Sequence, residues 1–207
     1  MKNYVNKMPA AALALALFAA AEPALAETWT EPKSATAFEV KRDGMTLLGA
    51  GLRVKKMVFT FNAYAVGFYV DDAALAGPLA AYKGKTSSPE FQKALQTGDF
   101  KKQVVLKFLR NLSQGKIQGA MRESLEGGDP NTLAKFISYF PEVKTGQECV
   151  LRHAGGGKIE SIMAGVAKPP IMSTDFAGRL FGLYVGPTPV QPDFKLDVVA
   201  RAAEVLK

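Results

Sequence analysis

Arg53 is the residue in this chain best placed to do chemistry. It closes the run Gly49-Ala50-Gly51-Leu52-Arg53 and is surrounded in sequence by glycine, leucine, valine and aromatic residues. A guanidinium there must reach solvent or meet an anion or polarised oxygen, because burying an unpaired charge is costly. Tyr64, at the head of Tyr64-Ala65-Val66-Gly67-Phe68-Tyr69-Val70, adds a phenolic donor from a neighbouring strand. Together they could hold a carboxylate, with Phe59, Phe61, Phe68, Ile117, Met121, Phe136 and Leu183 as candidate apolar lining. Two plainer readings compete: Arg53 capping buried backbone carbonyls, and Tyr64 as a core tyrosine with its hydroxyl at the rim.

Other reactive groups are sparse. Cys149 is the sole cysteine, so no intramolecular disulfide can form, and a free cysteine usually behaves as a small hydrophobe. His153 is the sole histidine; four residues along a strand puts the two side chains about 13 Å apart, too far for direct proton transfer. One cysteine and one histidine cannot close a tetrahedral metal shell, so neither metal nor cofactor is expected. Gly155-Gly156-Gly157 lacks a following Lys-Ser/Thr and reads as a plain turn. No Gly-x-Ser-x-Gly elbow, Walker loop or His-Glu-x-x-His motif occurs.

The 207 residues carry a formal charge of +7, spread thinly, with small clusters at Lys55-Lys56 and Lys101-Lys102. Without an aromatic-interleaved basic stripe, no nucleic-acid partner is expected. At the N-terminus, Lys2 and Lys7 precede an apolar core at residues 10–21, and Ala24-Leu25-Ala26 fits a small-x-small cleavage site. Residues 1–26 therefore read as a cleaved signal peptide, directing the chain to the periplasm or beyond. The apolar run falls short of the about 20 residues a span needs, so no stable membrane span is expected. Cleavage leaves 181 residues, one domain with a sizeable core.

Several elements must position Arg53 and Tyr64. Residues 27–37, polar with Pro32, read as an extended N-terminal arm before a domain at 38–207. Asp43-Gly44 marks a tight hairpin turn. Residues 54–70 read as one central strand, with Val58, Thr60, Asn62, Tyr64, Val66, Phe68 and Val70 on one face and Met57, Phe59, Phe61, Ala63, Ala65, Gly67 and Tyr69 on the other. Residues 102–108 alternate as a half-buried strand, and 148–152 with 158–163 form a second hairpin. Helices are expected at 73–81, after the Ser88-Pro89 start, after Ser113 with the stripe Ile117, Ala120 and Met121, after Asp129-Pro130, after Ser173, and at 194–206. Phe176, Leu180, Phe181 and Tyr184 make the apolar side of the helix after Ser173. This succession indicates an α+β class.

The pairing of Gly49-Ala50-Gly51-Leu52-Arg53 with Tyr64-Ala65-Val66-Gly67-Phe68-Tyr69-Val70 resembles the chalcone isomerase family, where a Gly-x-Gly-x-Arg strand precedes an x-Ala-x-Gly-x-Tyr strand. The likeness extends through Gly98-Asp99-Phe100, the strand at 104–110, the helix after Ser113 and a glycine-proline close at 186–192. It implies a chalcone isomerase-like fold: a large antiparallel β-sheet packed on one face by helices, with a ligand cleft between. Non-catalytic members bind fatty acids through an arginine and a tyrosine matched here by Arg53 and Tyr64. In the isomerases a threonine, a tyrosine, an asparagine and a late serine or threonine complete the site; Tyr64, Ile117, Ser124 and Leu183 stand there instead. The expected ligand is thus a fatty acid or similar lipophilic carboxylic acid, held by Arg53, Tyr64, Ile117, Met121 and Leu183 with no catalytic residue. The alternative is an intramolecular lyase acting on a chalcone-like substrate. A third reading is an envelope protein whose fold serves only a partner contact.

If residues 1–26 are a leader, N-terminal sequencing of the protein from the cell-envelope fraction should begin at Glu27. A sequence beginning at Met1 would overturn that expectation.

Overall fold

A computed structural model describes residues 26–56 and 60–207; residues 1–25 of the expected leader, and Met57, Val58 and Phe59, lie outside the described residues. The stretch read as an arm at 27–37 contains half of a hairpin. β1 (Thr28–Glu31) pairs antiparallel with β2 (Thr36–Glu39). No glycine marks its turn. Instead the Glu31 carboxylate accepts the Lys33 amide at 3.1 Å and the Ser34 amide at 2.7 Å, and Ala35 takes φ 54°. A turn closed by a side chain leaves no dipeptide signal, so the strand reads as loop.

β3 (Lys41–Arg42) enters β4 (Met45–Lys56) through Asp43 and Gly44, whose φ angles of 53° and 74° suit the Asp-Gly hairpin turn expected there. β4 pairs antiparallel with β5 (Thr60–Asp71), from Lys56 opposite Thr60 to Met45 opposite Asp71. Residues 54–70 are therefore two strands, and the chain reverses after Lys56. The reversal was hidden because valine and aromatic residues run through it without glycine or proline.

The chain continues through α1 (Asp72–Ala76), α2 (Pro89–Thr97), β6 (Lys102–Phe108), α3 (Gln114–Ser124), α4 (Pro130–Ser138), β7 (Glu148–His153), β8 (Lys158–Met163), β9 (Val166–Met172), α5 (Thr174–Val185) and α6 (Pro192–Val205). Local chemistry starts three of the helices: Ser88, Asp129 and Ser173 each accept an amide of the first turn, from Phe91, Thr132 and Phe176. β9 was not foreseen. Pro169 and Pro170 cannot donate to a ladder, and β9 takes the place where that is tolerated, the edge of the sheet.

The main sheet has seven strands in the order β3-β4-β5-β6-β7-β8-β9, each antiparallel to its neighbour. Tyr64, Val66, Phe68 and Val70 of β5 join Val104, Leu106 and Phe108 of β6 in the core under the helices. The opposite face buries Phe38, Leu47, Ala50, Ala65, Tyr69 and Val105, with Trp29 against them. β6 is thus buried on both faces rather than half-buried, because the β1–β2 hairpin covers its back.

Small residues let each layer approach. A Cβ on Gly67 would lie 2.7 Å from Phe38 Cδ1. On the other face, a Cβ on Gly49 would lie 2.7 Å from Val198 Cα, and one on Gly51 2.9 Å from Phe194 Cδ2. Lys102 secures α2 from beneath: fully buried, its ammonium donates to the carbonyls of Leu95, Gln96 and Gly98 at 2.8, 2.9 and 2.9 Å. Desolvation pulls its pKa down to about 7.

Gly49→Ala should cost about 1–3 kcal/mol, since the new methyl meets α6 backbone rather than a flexible side-chain tip. Gly119→Ala, mid-helix in α3 with nothing within 4 Å of its Cβ, should instead stabilise by about 0.5–1 kcal/mol. Urea unfolding of the two variants beside the wild type checks the opposite signs.

Candidate functional site

Arg53 stands two residues beyond Gly51 on β4 and so shares the strand face on which α6 lies. Directly across the ladder is Tyr64. The register then shifts: Val54 faces Asn62, leaving Ala63 as an extra residue on β5. Strict alternation set Phe61 and Tyr64 on opposite faces. The bulge turns them to the same one, where Phe61 packs against the helix-side core.

Arg53 Nη1 donates to the carbonyl of Val190 in the loop between α5 and α6. The Val190 amide donates to the Leu183 carbonyl at 2.8 Å, and Gln191 Oε1 accepts the Val54 amide at 3.4 Å. The loop is fastened to the end of β4. Arg53 thus caps one backbone carbonyl, as the plainer reading held, using part of a fork that offers further N–H groups.

Tyr64 is buried and meets Phe108 edge-on, ring centroids 5.7 Å apart at 68°. Its hydroxyl interacts with that of Tyr184 on α5, a residue 2% exposed whose ring stands edge-on to Phe194 of α6. Burial raises the pKa of both phenols, opposed in each case by the positive charge of Arg53. Both hydroxyls therefore keep their protons and can donate. The two hydroxyls approach and polarise one another, but the contact falls short of a full hydrogen bond, and Tyr184 Oη is left unsatisfied.

Tyr184 is the site residue that sequence reasoning missed. An aromatic at helical spacing on an apolar stripe reads as core, and its ring is core. Only the packing of α5 across β5 brings its hydroxyl to Tyr64 and Arg53.

Of the other expected site residues, Leu183 lies beside Tyr184, and its carbonyl ends the chain of bonds from Arg53. Ile117 and Met121 form the buried face of α3 in the same core as Tyr64. Phe68 and Phe136 are fully buried with aromatic partners, Phe181 for the first and Phe140 and Phe176 for the second, which marks both as packing residues. Phe59 lies outside the described residues. Cys149 is buried and its thiol pKa is pushed up by burial. Burial lowers the pKa of His153, whose Nδ1 lies 3.0 Å from the Phe100 carbonyl. Among the described residues no cluster of three or more His, Cys, Asp or Glu side chains could hold a metal, and no helix is long and apolar enough to cross a membrane.

Because Arg53 fastens the α5–α6 loop, Arg53→Ala should lower stability by about 1–3 kcal/mol, the range for losing a charge-assisted hydrogen bond. Arg53→Lys, which keeps a donor, should cost less. Chemical denaturation of both variants without ligand measures this structural share.

No curated protein sequence matches the chain significantly. In three dimensions it is similar to the crystal structure of a fatty-acid binding protein of Arabidopsis thaliana, with a TM-score of 0.77 and 22% identity, covering 87% of this chain and 99% of that one. At that identity the likeness establishes the fold. The family model described as chalcone isomerase-like matches residues 26–199, nearly the whole of the described chain, and the α+β architecture agrees with it. The chain belongs to the chalcone isomerase-like family.

Proposed function

We propose that the protein binds a lipophilic carboxylic acid, a fatty acid or a molecule of similar shape, and performs no ring-closing chemistry on it. The observation that carries this is the direct pairing of Arg53 with Tyr64 beside an extensive apolar core, which sets charge and donors in one place and hydrocarbon around them. A carboxylate matches the guanidinium fork. The tail would pack against Ile117, Met121 and Leu183. Burying about ten methylenes at about 0.8 kcal/mol each contributes roughly 8 kcal/mol gross, before association and ordering costs. With the head-group bonds added, affinity should be roughly micromolar. The similarly folded Arabidopsis protein is a fatty-acid binding protein, which supports the reading. A leader at residues 1–26 would place this binding in the periplasm or outside the cell.

Ring closure makes a different demand. An isomerase must hold a ketone and stabilise an oxygen nucleophile at a second point of the substrate. The family resemblance sets donors on α3, but Ile117 there is apolar and buried. Each preorganised donor lost costs roughly 10²–10³ in rate.

The purified protein should bind a fluorescent long-chain fatty acid, and unlabelled fatty acid should displace it. Arg53→Lys should weaken binding about tenfold per folded molecule, because a point charge cannot reproduce the planar fork. Cyclisation of naringenin chalcone should proceed at the spontaneous rate without enantiomeric excess. Production of a single flavanone enantiomer would overturn the proposal in favour of catalysis.

A further inference from the structure

Among the described residues, three buried side-chain atoms close no hydrogen bond: Gln103 Nε2, His153 Nε2 and Tyr184 Oη. The first two belong to groups that are satisfied at their other end. Gln103 Oε1 accepts Arg152 Nε at 3.0 Å, and His153 Nδ1 is 3.0 Å from the Phe100 carbonyl, with Asp99 Oδ1 3.6 Å from its Nε2. Tyr184 has only one polar group, and its contact with the Tyr64 hydroxyl falls short of a full hydrogen bond.

A buried unbonded hydroxyl carries its full desolvation penalty. Nothing in the ring packing requires it, since phenylalanine would make the same edge-on contact with Phe194, at 6.2 Å and 86°. Its position is specific. It lies next to the hydroxyl of Tyr64, which is itself the ladder partner of Arg53, and the charge of Arg53 acts on both. Two phenols and one guanidinium thus converge from α5, β5 and β4.

We propose that Tyr184 is a third head-group ligand, so that the site selects an oxyanion-headed lipid, a free carboxylate, over neutral lipids of the same chain length. This rests on the binding reading above and names what that site recognises. Both phenols hold their protons, as burial dictates, so all three groups present N–H or O–H to the ligand and none presents a negative charge. A carboxylate has lone pairs enough for all three. A methyl ester brings the same hydrocarbon and a carbonyl but no charge to strengthen the bonds.

The test compares wild type, Tyr184→Phe and Arg53→Lys in binding dodecanoate and methyl dodecanoate, by competition against a fluorescent fatty acid, with ligand-free thermal midpoints. Wild type should prefer the acid. Tyr184→Phe should lose about tenfold or more in affinity for dodecanoate, leave the methyl ester nearly unaffected, and keep or raise the ligand-free midpoint, because the orphan hydroxyl is gone. Unchanged dodecanoate affinity in Tyr184→Phe overturns the inference, and a lowered midpoint alongside it assigns the hydroxyl to a structural hydrogen bond, as with an ordered water. Equal losses for acid and ester also overturn it, since they report a disturbed apolar wall. If wild type binds neither lipid, the binding proposal itself falls; if wild type binds and only Arg53→Lys is impaired, that proposal stands without Tyr184.

Discussion

The close seating of α6 on β4 is the constraint on which the site depends. A helix can lie directly on a strand only where the strand has no side chains in the way, and Gly49 and Gly51 remove them at the two points where Val198 and Phe194 come down. That contact fixes the start of α6, and with it the loop that carries Val190 over Arg53. The next residue on the same strand face after the two glycines is the arginine. Spacing glycine, glycine and arginine at alternate positions is thus one physical unit: two positions without side chains for the helix, then a long side chain reaching up just before the helix's start.

The second strand mirrors this on the opposite face. Ala65 and Gly67 leave room for Phe38 of the β1–β2 hairpin, and Tyr69 donates to the Glu39 carbonyl at 3.0 Å. The alternate residues Tyr64, Val66, Phe68 and Val70 are large and face the helices. β5 is therefore covered twice, and its two faces have different duties: small residues dock the hairpin, large ones build the core that surrounds Tyr64. Because Tyr64 is held by Phe108 on one side and by the bulge at Ala63 on the other, its hydroxyl is aimed by packing.

What could be read from sequence was what local chemistry decides. The Asp43-Gly44 turn, the caps at Ser88, Asp129 and Ser173, and β6 at Lys102–Phe108 follow from residues a few positions apart. Arg53 and Tyr64 stood out because charge and hydroxyl are rare among the apolar residues around them. The misses share a cause too. β9 contains two prolines that only an edge position tolerates, and an edge is a property of the whole sheet. The β1–β2 turn is closed by the Glu31 carboxylate rather than by glycine, and the bulge at Ala63 breaks an alternation that the sequence carries without interruption. Tyr184 was legible as a buried ring but not as a hydroxyl, because its neighbours Tyr64 and Arg53 come from strands far away in the chain.

The arrangement of donors also bears on the choice between the proposed binding and ring closure. Ring closure needs polar groups at two separated ends of a substrate, one for the ketone and one for the attacking oxygen. Here Arg53, Tyr64 and Tyr184 come together at a single locus, and the residues α3 contributes, Ile117 and Met121, are apolar and buried. A tyrosine on β5 also reaches further than a threonine would, far enough for its hydroxyl to meet that of a tyrosine on α5. Polar groups gathered at one point beside an apolar core are what the proposed ligand, with one charged end and one apolar end, would require.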